Sequence, residues 1–249
     1  MTARPRIGIT MRLEIDTRRF YLGRDYSEAV QGAGGLPVHL PLIPDKAFIE
    51  DLVAGLDGVL LPGSDTDVDP AYFGEDPHPR LKKVVPEKDE TDLLVLDAAE
   101  RAGIPIFAIC YGTQVLNVFR GGSLFQDIES LVENHLKHEQ GIPLDRASHS
   151  VNASDSGRLA AAVKEAGVKQ VKVNSHHHQA INKIGNDLTA TATANDGVIE
   201  CIEDVREGRW VVGVQWHPEL NWRNDAVSLR LFSDFVSACS GRTVQAGTS

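Results

Sequence analysis

The feature that most constrains the fold is an alternation, over the first 122 residues, of short apolar runs with helix-length amphipathic segments. RIGIT (6–10), LPVHLP (36–41), DGVLLPGS (57–64) and IPIFAIC (104–110) read as strands. Residues 25–33, 45–54, 89–102 and 112–120 read as helices, the first and last closed by the Gly-Gly pairs at 34–35 and 121–122. A helix after each strand carries the chain back across the sheet, so the strands run parallel. The expected fold is α/β, a mostly parallel central sheet with helices on both faces. After Gly122 the chain becomes polar and His-rich through residue 150. A helix follows at 155–166, then β-like runs at 170–174, 188–194 and 198–204. The alternation in LTATATAN predicts a half-exposed antiparallel strand, and hence a small antiparallel β element. WVVGVQW (210–216) reads as a buried strand, and 225–239 as a last helix with Leu231, Phe232, Phe235, Val236 and Cys239 on one stripe. Nothing resembles a linker. The expectation is one domain over 1–249, with its core in 5–240 and a frayed tail at 241–249.

Composition excludes several classes. A formal net charge of −10 opposes nucleic acid and anionic membrane surfaces as partners. No run approaches the roughly 18 apolar residues of a membrane span. The start, MTARPRIGIT, lacks a secretory apolar region. Three widely spaced cysteines argue against a disulfide framework, and the chain reads as cytoplasmic. G-x-G-x-x-G and P-loop patterns are absent, so nucleotide binding has no support.

Three stretches carry chemistry. Cys110 falls where a strand should end and a helix begin, with small Ala108 and Gly112 at ±2. The helix dipole there favours a thiolate, and the small flanks suit a strand-to-helix elbow. Taken alone, Cys110 is as much a core residue as a nucleophile. Cys239 on its helix stripe and Cys201 in an alternating strand fit the core reading better. GVQWHPEL (213–220) offers His217 at a strand end and Glu219 two residues on. In an extended chain stiffened by Pro218 these point the same way, so Glu219 can orient the imidazole. A surface turn with a chance His and Glu is the bland alternative. VLLPGSD (59–65) ends a strand at Gly63 and Ser64, where a backbone N–H could join that of Tyr111 in an oxyanion hole. An ordinary turn is the alternative there.

LPGS, AICYGTQ and GVQWHPE, in that order, resemble the class I glutamine amidotransferase superfamily. AGGLPVHLPL (33–42), DVDPAYFGE (67–75), GGSLFQD (121–127) and VNSHHHQAI (173–181) resemble its peptidase C26 branch, the γ-glutamyl-γ-aminobutyrate hydrolase-like proteins. The resemblance covers roughly residues 5–240. It implies the flavodoxin-like amidotransferase fold and a Cys110–His217–Glu219 triad without metal or organic cofactor. It also implies an oxyanion hole of backbone N–H groups at Gly63 or Ser64 and Tyr111, and hydrolysis of a γ-glutamyl amide through a thioester. That branch serves polyamine (putrescine) catabolism; the amine released here and its pathway stay open. The resemblance places Gln114, Asn174, Ser175 and His176 at the glutamyl end of the substrate, with Gln126, His177 and Gln179 as further pocket residues. Tyr111 stands where many hydrolases of the branch carry Arg. Its side chain is expected at the pocket mouth, where it would influence the leaving amine.

Other candidates weigh less. His135 and His138 form H-x-x-H, but Cys and carboxylate partners at metal-ligand spacing are missing, so no metal site is expected. In a strand, His176–His178 would split between two faces. Asp65, Asp67 and Asp69 lack the Gly and terminal Glu of an EF-hand loop and read as a mobile rim. Three functions remain: a free-standing γ-glutamyl hydrolase, a glutaminase subunit feeding ammonia to a synthase, and a non-catalytic small-molecule binder. A small-molecule γ-glutamyl substrate is the expected partner. A homodimer is common for such folds, and no residue pattern here specifies one.

Overall fold

The computed structural model describes residues 3–241, and the tail expected at 241–249 lies, from residue 242 on, outside the described residues. In chain order the elements are β1 (Arg6–Thr10), β2 (Arg12–Glu14), β3 (Arg19–Tyr21), α1 (Arg24–Gly32), β4 (Leu36–Leu40), α2 (Lys46–Ala54) and β5 (Gly58–Leu61). Then come α3 (Pro86–Ala102), β6 (Ile106–Ile109), α4 (Tyr111–Phe119), β7 (Leu124–Phe125), α5 (Ile128–Leu131), β8 (His149–Ala153) and α6 (Arg158–Ala166). The chain closes with β9 (Val171–Val173), β10 (Ala180–Ile181), β11 (Leu188–Ala194), β12 (Ile199–Asp204), β13 (Val211–Val214) and α7 (Ala226–Ser240). Short 3₁₀ turns sit at Pro70–Phe73 and Pro218–Leu220.

The central sheet has nine strands in the order β4-β1-β5-β6-β13-β12-β11-β8-β9. From β4 to β13 every pairing is parallel; from β13 to β9 every pairing is antiparallel. The sheet is therefore mixed, and the antiparallel element expected as a small appendage continues it. The connections change with it: β11, β12 and β13 follow one another through short turns without a helix, and α6, between β8 and β9, returns the chain antiparallel instead of crossing over. Two further two-stranded sheets, β2-β3 and β7-β10, flank it.

Strand alternation builds two cores. Ile7, Ile9, Leu60, Phe107 and Val212 face α1 and α7, where Phe107 meets Phe232 edge-on at 5.2 Å. Val59, Leu61, Ile106, Ala108 and Val211 face α2, α3 and α4. Helices thus cover both faces, as expected. Among the described residues no helix is long and apolar enough to cross a membrane.

Candidate active site

The three chemistry-bearing stretches lie on adjacent parallel strands. Leu61 of β5 pairs with Ala108 of β6, and Ile109 of β6 pairs with Val214 of β13. Gly63–Ser64, Cys110 and His217 follow these positions directly, so the register alone gathers them beyond the carboxyl ends of the strands, where open α/β sheets place ligands.

Cys110 forms the elbow. Its backbone stands at φ 53°, ψ −109°, a left-handed value that a side chain rarely adopts and that costs on the order of 1–3 kcal/mol. The neighbours hold it there: Cys110 N donates to Val214 O at 2.8 Å, and the Thr113 hydroxyl lies 2.7 Å from the same carbonyl. Gly112 lets α4 start against β5, since a Cβ there would fall 2.3 Å from Leu61 O. Cys110 is thus the residue at the N-cap of α4, with no cap hydrogen bond from its own side chain. Burial pushes the Cys201 thiol up, which leaves that cysteine to the core.

His217 Nδ1 lies 2.6 Å from Glu219 Oε1, and Cys110 is close enough to act on the ring electrostatically. Burial alone would pull this imidazole down, but Glu219 and Cys110 outweigh it and push it up to about 10. The Glu219 carboxyl beside it favours the protonated imidazole. The pair does not sit on an extended segment as the sequence suggests. Pro218 opens a 3₁₀ turn, where its fixed φ suits the first position, and Glu219 reaches back to the ring from inside that turn.

The two residues of the Gly63–Ser64 loop are placed differently from one another. Gly63 N already donates to Tyr26 Oη at 3.0 Å, and Gly63 O accepts from Arg12 Nε at 2.7 Å. Of the two residues, Ser64 lines the cavity with Cys110 and Tyr111. Gly63 instead lets the loop touch the base: a Cβ would lie 2.6 Å from His217 Cε1.

A cavity of about 210 Å³ opens over Cys110, and Gln114, His176, His177 and Gln179 line it as expected. Gln126, Asn174 and Ser175 do not. The Asn174 amide clamps the His217 backbone, accepting from its N–H and donating to its carbonyl, both at 2.8 Å. The Ser175 hydroxyl is committed to His138 O, and Gln126 ties down the loop at Glu75–His78. The side chain of Tyr111 is corrected too: it is 1% exposed, and its hydroxyl donates to Asp89 on α3 rather than reaching the mouth.

Sequence reading missed several supports. Lys88, Asp89 and Asp92, buried on the first turns of α3, brace Tyr111 and Thr10, with Lys88 paired to Asp92. Three charges in an acidic first turn look solvated in sequence; only the packing of α3 over α4 buries them. The acidic rim is tied as well. Asp67 accepts from Lys82 N at 2.6 Å and from His178 at 2.8 Å, and Asp65 accepts from the Tyr21 hydroxyl. His176, His177 and His178 diverge to three sets of partners on an irregular segment rather than a strand.

The Peptidase C26 family profile matches residues 5–219. The glutamine amidotransferase-like protein RP404 of Rickettsia prowazekii is 32% identical across 96% of the chain and 99% of its own length. The γ-glutamyl-γ-aminobutyrate hydrolase PuuD of Escherichia coli is 34% identical across 88% of the chain and 86% of its own. The glutaminase domain of Trypanosoma brucei CTPS, solved with bound acivicin, superposes with a TM-score of 0.61 at 13% identity, covering 96% of this chain and 95% of that one, a likeness of fold.

Proposed function

The chain belongs to the Peptidase C26 family, and from that premise we propose that it is a cysteine-dependent hydrolase cleaving the γ-glutamyl amide bond of a γ-glutamyl amine, γ-glutamyl-γ-aminobutyrate or a close analogue, to glutamate and amine. The observation that carries this reading is the strained Cys110 elbow, which lines a small cavity, on the strand next to the one that leads to a His217–Glu219 pair of 2.6 Å. Cys110 Sγ attacks the γ-carbonyl, and the new C–S bond moves the carbonyl electrons onto oxygen. The N–H groups of Tyr111 and Ser64 receive that oxyanion. The protonated His217 gives its proton to the leaving nitrogen as the C–N bond breaks. Water then attacks the thioester while His217 takes its proton, glutamate leaves, and the thiolate returns. Glu219 keeps the imidazole oriented throughout. Gln114, His176, His177 and Gln179, which line that cavity, would hold the glutamyl portion.

The relatives bear names of both hydrolases and amidotransferase-like proteins, so the rival is a glutaminase subunit serving a synthase. Purified protein alone, given glutamine, γ-glutamyl-γ-aminobutyrate, other γ-glutamyl amines and poly-γ-glutamates, separates the two. Glutamate release from the γ-glutamyl amines without a partner is the expected result. Cleavage of glutamine alone, and only after a partner is added, would overturn the proposal.

A further inference from the structure

Behind the cavity wall, three side chains that the hydrolytic machinery does not use, His138, His149 and Glu200, converge on one buried point beside His177 of the cavity lining. Glu200, on β12, is fully buried. His149 Nε2, from β8, lies 3.0 Å from Glu200 Oε1. His138 Nδ1 lies 3.5 Å and His177 Nε2 3.8 Å from the same oxygen. Four ligands at the 2.0–2.2 Å bond lengths of a tetrahedral zinc centre stand about 3.4 Å from one another, and these separations bracket that value. The ligand atoms of His138, His149 and Glu200 all lie within 4.8 Å of one another, and His177 stands beside them.

The outer contacts tie each ring in place. His138 Nε2 is 2.9 Å from Asp196 Oδ2, and its Nδ1 lies 3.2 Å from the Ser175 hydroxyl as well as facing Glu200. His177 Nδ1 is 2.9 Å from the carbonyl of Gln179, an acceptor, so its proton sits there and Nε2 turns a lone pair inward. That lone pair faces a carboxylate, and His177 Nε2, His149 Nδ1 and Glu200 Oε2 are all buried without a hydrogen-bond partner. Buried acceptors that converge without partners are costly unless a cation joins them. Histidines whose outer nitrogen donates to a carboxylate or a carbonyl are the usual arrangement of metal ligands. Asp196 is itself held by the N–H groups of Leu136 and Val198.

We infer that His138, His149 and Glu200, with His177 as the fourth member, bind one divalent transition-metal cation of the zinc class. Three imidazoles and one carboxylate select zinc or cobalt over calcium and magnesium, which take oxygen ligands. A second cavity of about 620 Å³, lined by His138 and His177, supplies a way in. The site stands apart from the chemistry of Cys110 and holds independently of the hydrolase reading. It meets the candidate active site only through His177 and Gln179, whose segment the cation would fix in place. Sequence spacing could not show it: of the H-x-x-H pair only His138 takes part, and the carboxylate comes from β12.

The test uses the full chain carrying Cys110→Ala, which removes the one thiol lining the first cavity, stripped with chelator and then titrated with Zn²⁺ by calorimetry and with Co²⁺ by visible absorption. One equivalent of each should bind. The cobalt form should show the intense d–d bands of a four-coordinate nitrogen–oxygen site and no thiolate charge-transfer band. Glu200→Gln and His149→Ala should each weaken binding at least about 100-fold, and Asp196→Asn, outside the ligand set, by about 10- to 100-fold with the circular dichroism of the parent retained. Absence of stoichiometric binding would overturn the inference, as would binding that Asp196→Asn and whichever ligand variants fold leave undiminished.

Discussion

At Cys110 a left-handed backbone and a helix N-terminus meet in one residue, and its sulfur bears electrostatically on His217. Cys110→Ala should abolish glutamate release while leaving the thermal transition in place, whereas Cys201→Ala should keep the activity; a steady-state assay beside a melting curve checks both. Glu219→Gln should lower kcat by about 10³- to 10⁴-fold, since an amide cannot hold the imidazole in the same protonation and orientation. The charge on His217 has a pH signature. Its folded value, about 10, lies above the 6.5 of a free histidine. Its contribution to stability is therefore complete below pH 6.5 and is lost as pH rises through 10. Urea unfolding of the wild type and His217→Gln should show a stability gap that narrows over that interval; a gap that widens would contradict the assignment. Tyr111→Phe leaves the buried Asp89 carboxyl, pushed up to about 6 by its burial, with only the Asp69 N–H as donor. It should cost about 1–3 kcal/mol in stability and leave the ranking of γ-glutamyl amines unchanged. The position of Cys110 was legible because a change of periodicity marks the elbow. The direction of the Tyr111 ring was not, because α3, brought over by tertiary packing, decides where the first side chain of α4 goes.

At the scale of elements, the site depends on how closely three strand ends approach. Gly63→Ala would place a methyl 2.6 Å from His217 Cε1 and 2.8 Å from Tyr26 Oη. The imidazole must move, and the expected loss in kcat is about 100-fold with a stability cost of about 1–3 kcal/mol. Unchanged kcat in that variant would show that the loop and the base are not mechanically linked. The elements that carry long apolar periods, β1, β5, β6, β13 and α7, fall where the sequence puts them. Those it misses are short or polar. The β2-β3 hairpin pairs only three residues with three, and the four-residue α5 is started by the side chain of Asp127 capping Ser130 N rather than by an apolar face. The 3₁₀ turn at Pro218–Leu220 likewise escapes a reading that takes His-Pro-Glu as extended, since both conformations satisfy the fixed φ of proline.

Across the whole molecule, the two halves of the sheet divide the work. The parallel half presents Cys110, His217 and the Ser64 loop from adjacent strands. The antiparallel half supplies the far wall, through the segment 174–179, and the His–Glu cluster beneath it. The parallel half could be read from alternation alone, because each strand announces itself by an apolar run between helices. The joining of both halves into one sheet could not, because β11 and β12 show their period without showing which neighbour they pair with. The central claim is that Cys110 carries a γ-glutamyl group during turnover. Rapid acid quench of the wild-type protein during turnover of γ-glutamyl-γ-aminobutyrate, followed by peptide mass spectrometry, tests it directly. The account predicts one added glutamyl group, on the peptide containing Cys110 and absent from Cys110→Ala. A glutamyl adduct on another residue, or steady glutamate release by the Cys110→Ala protein, would contradict it.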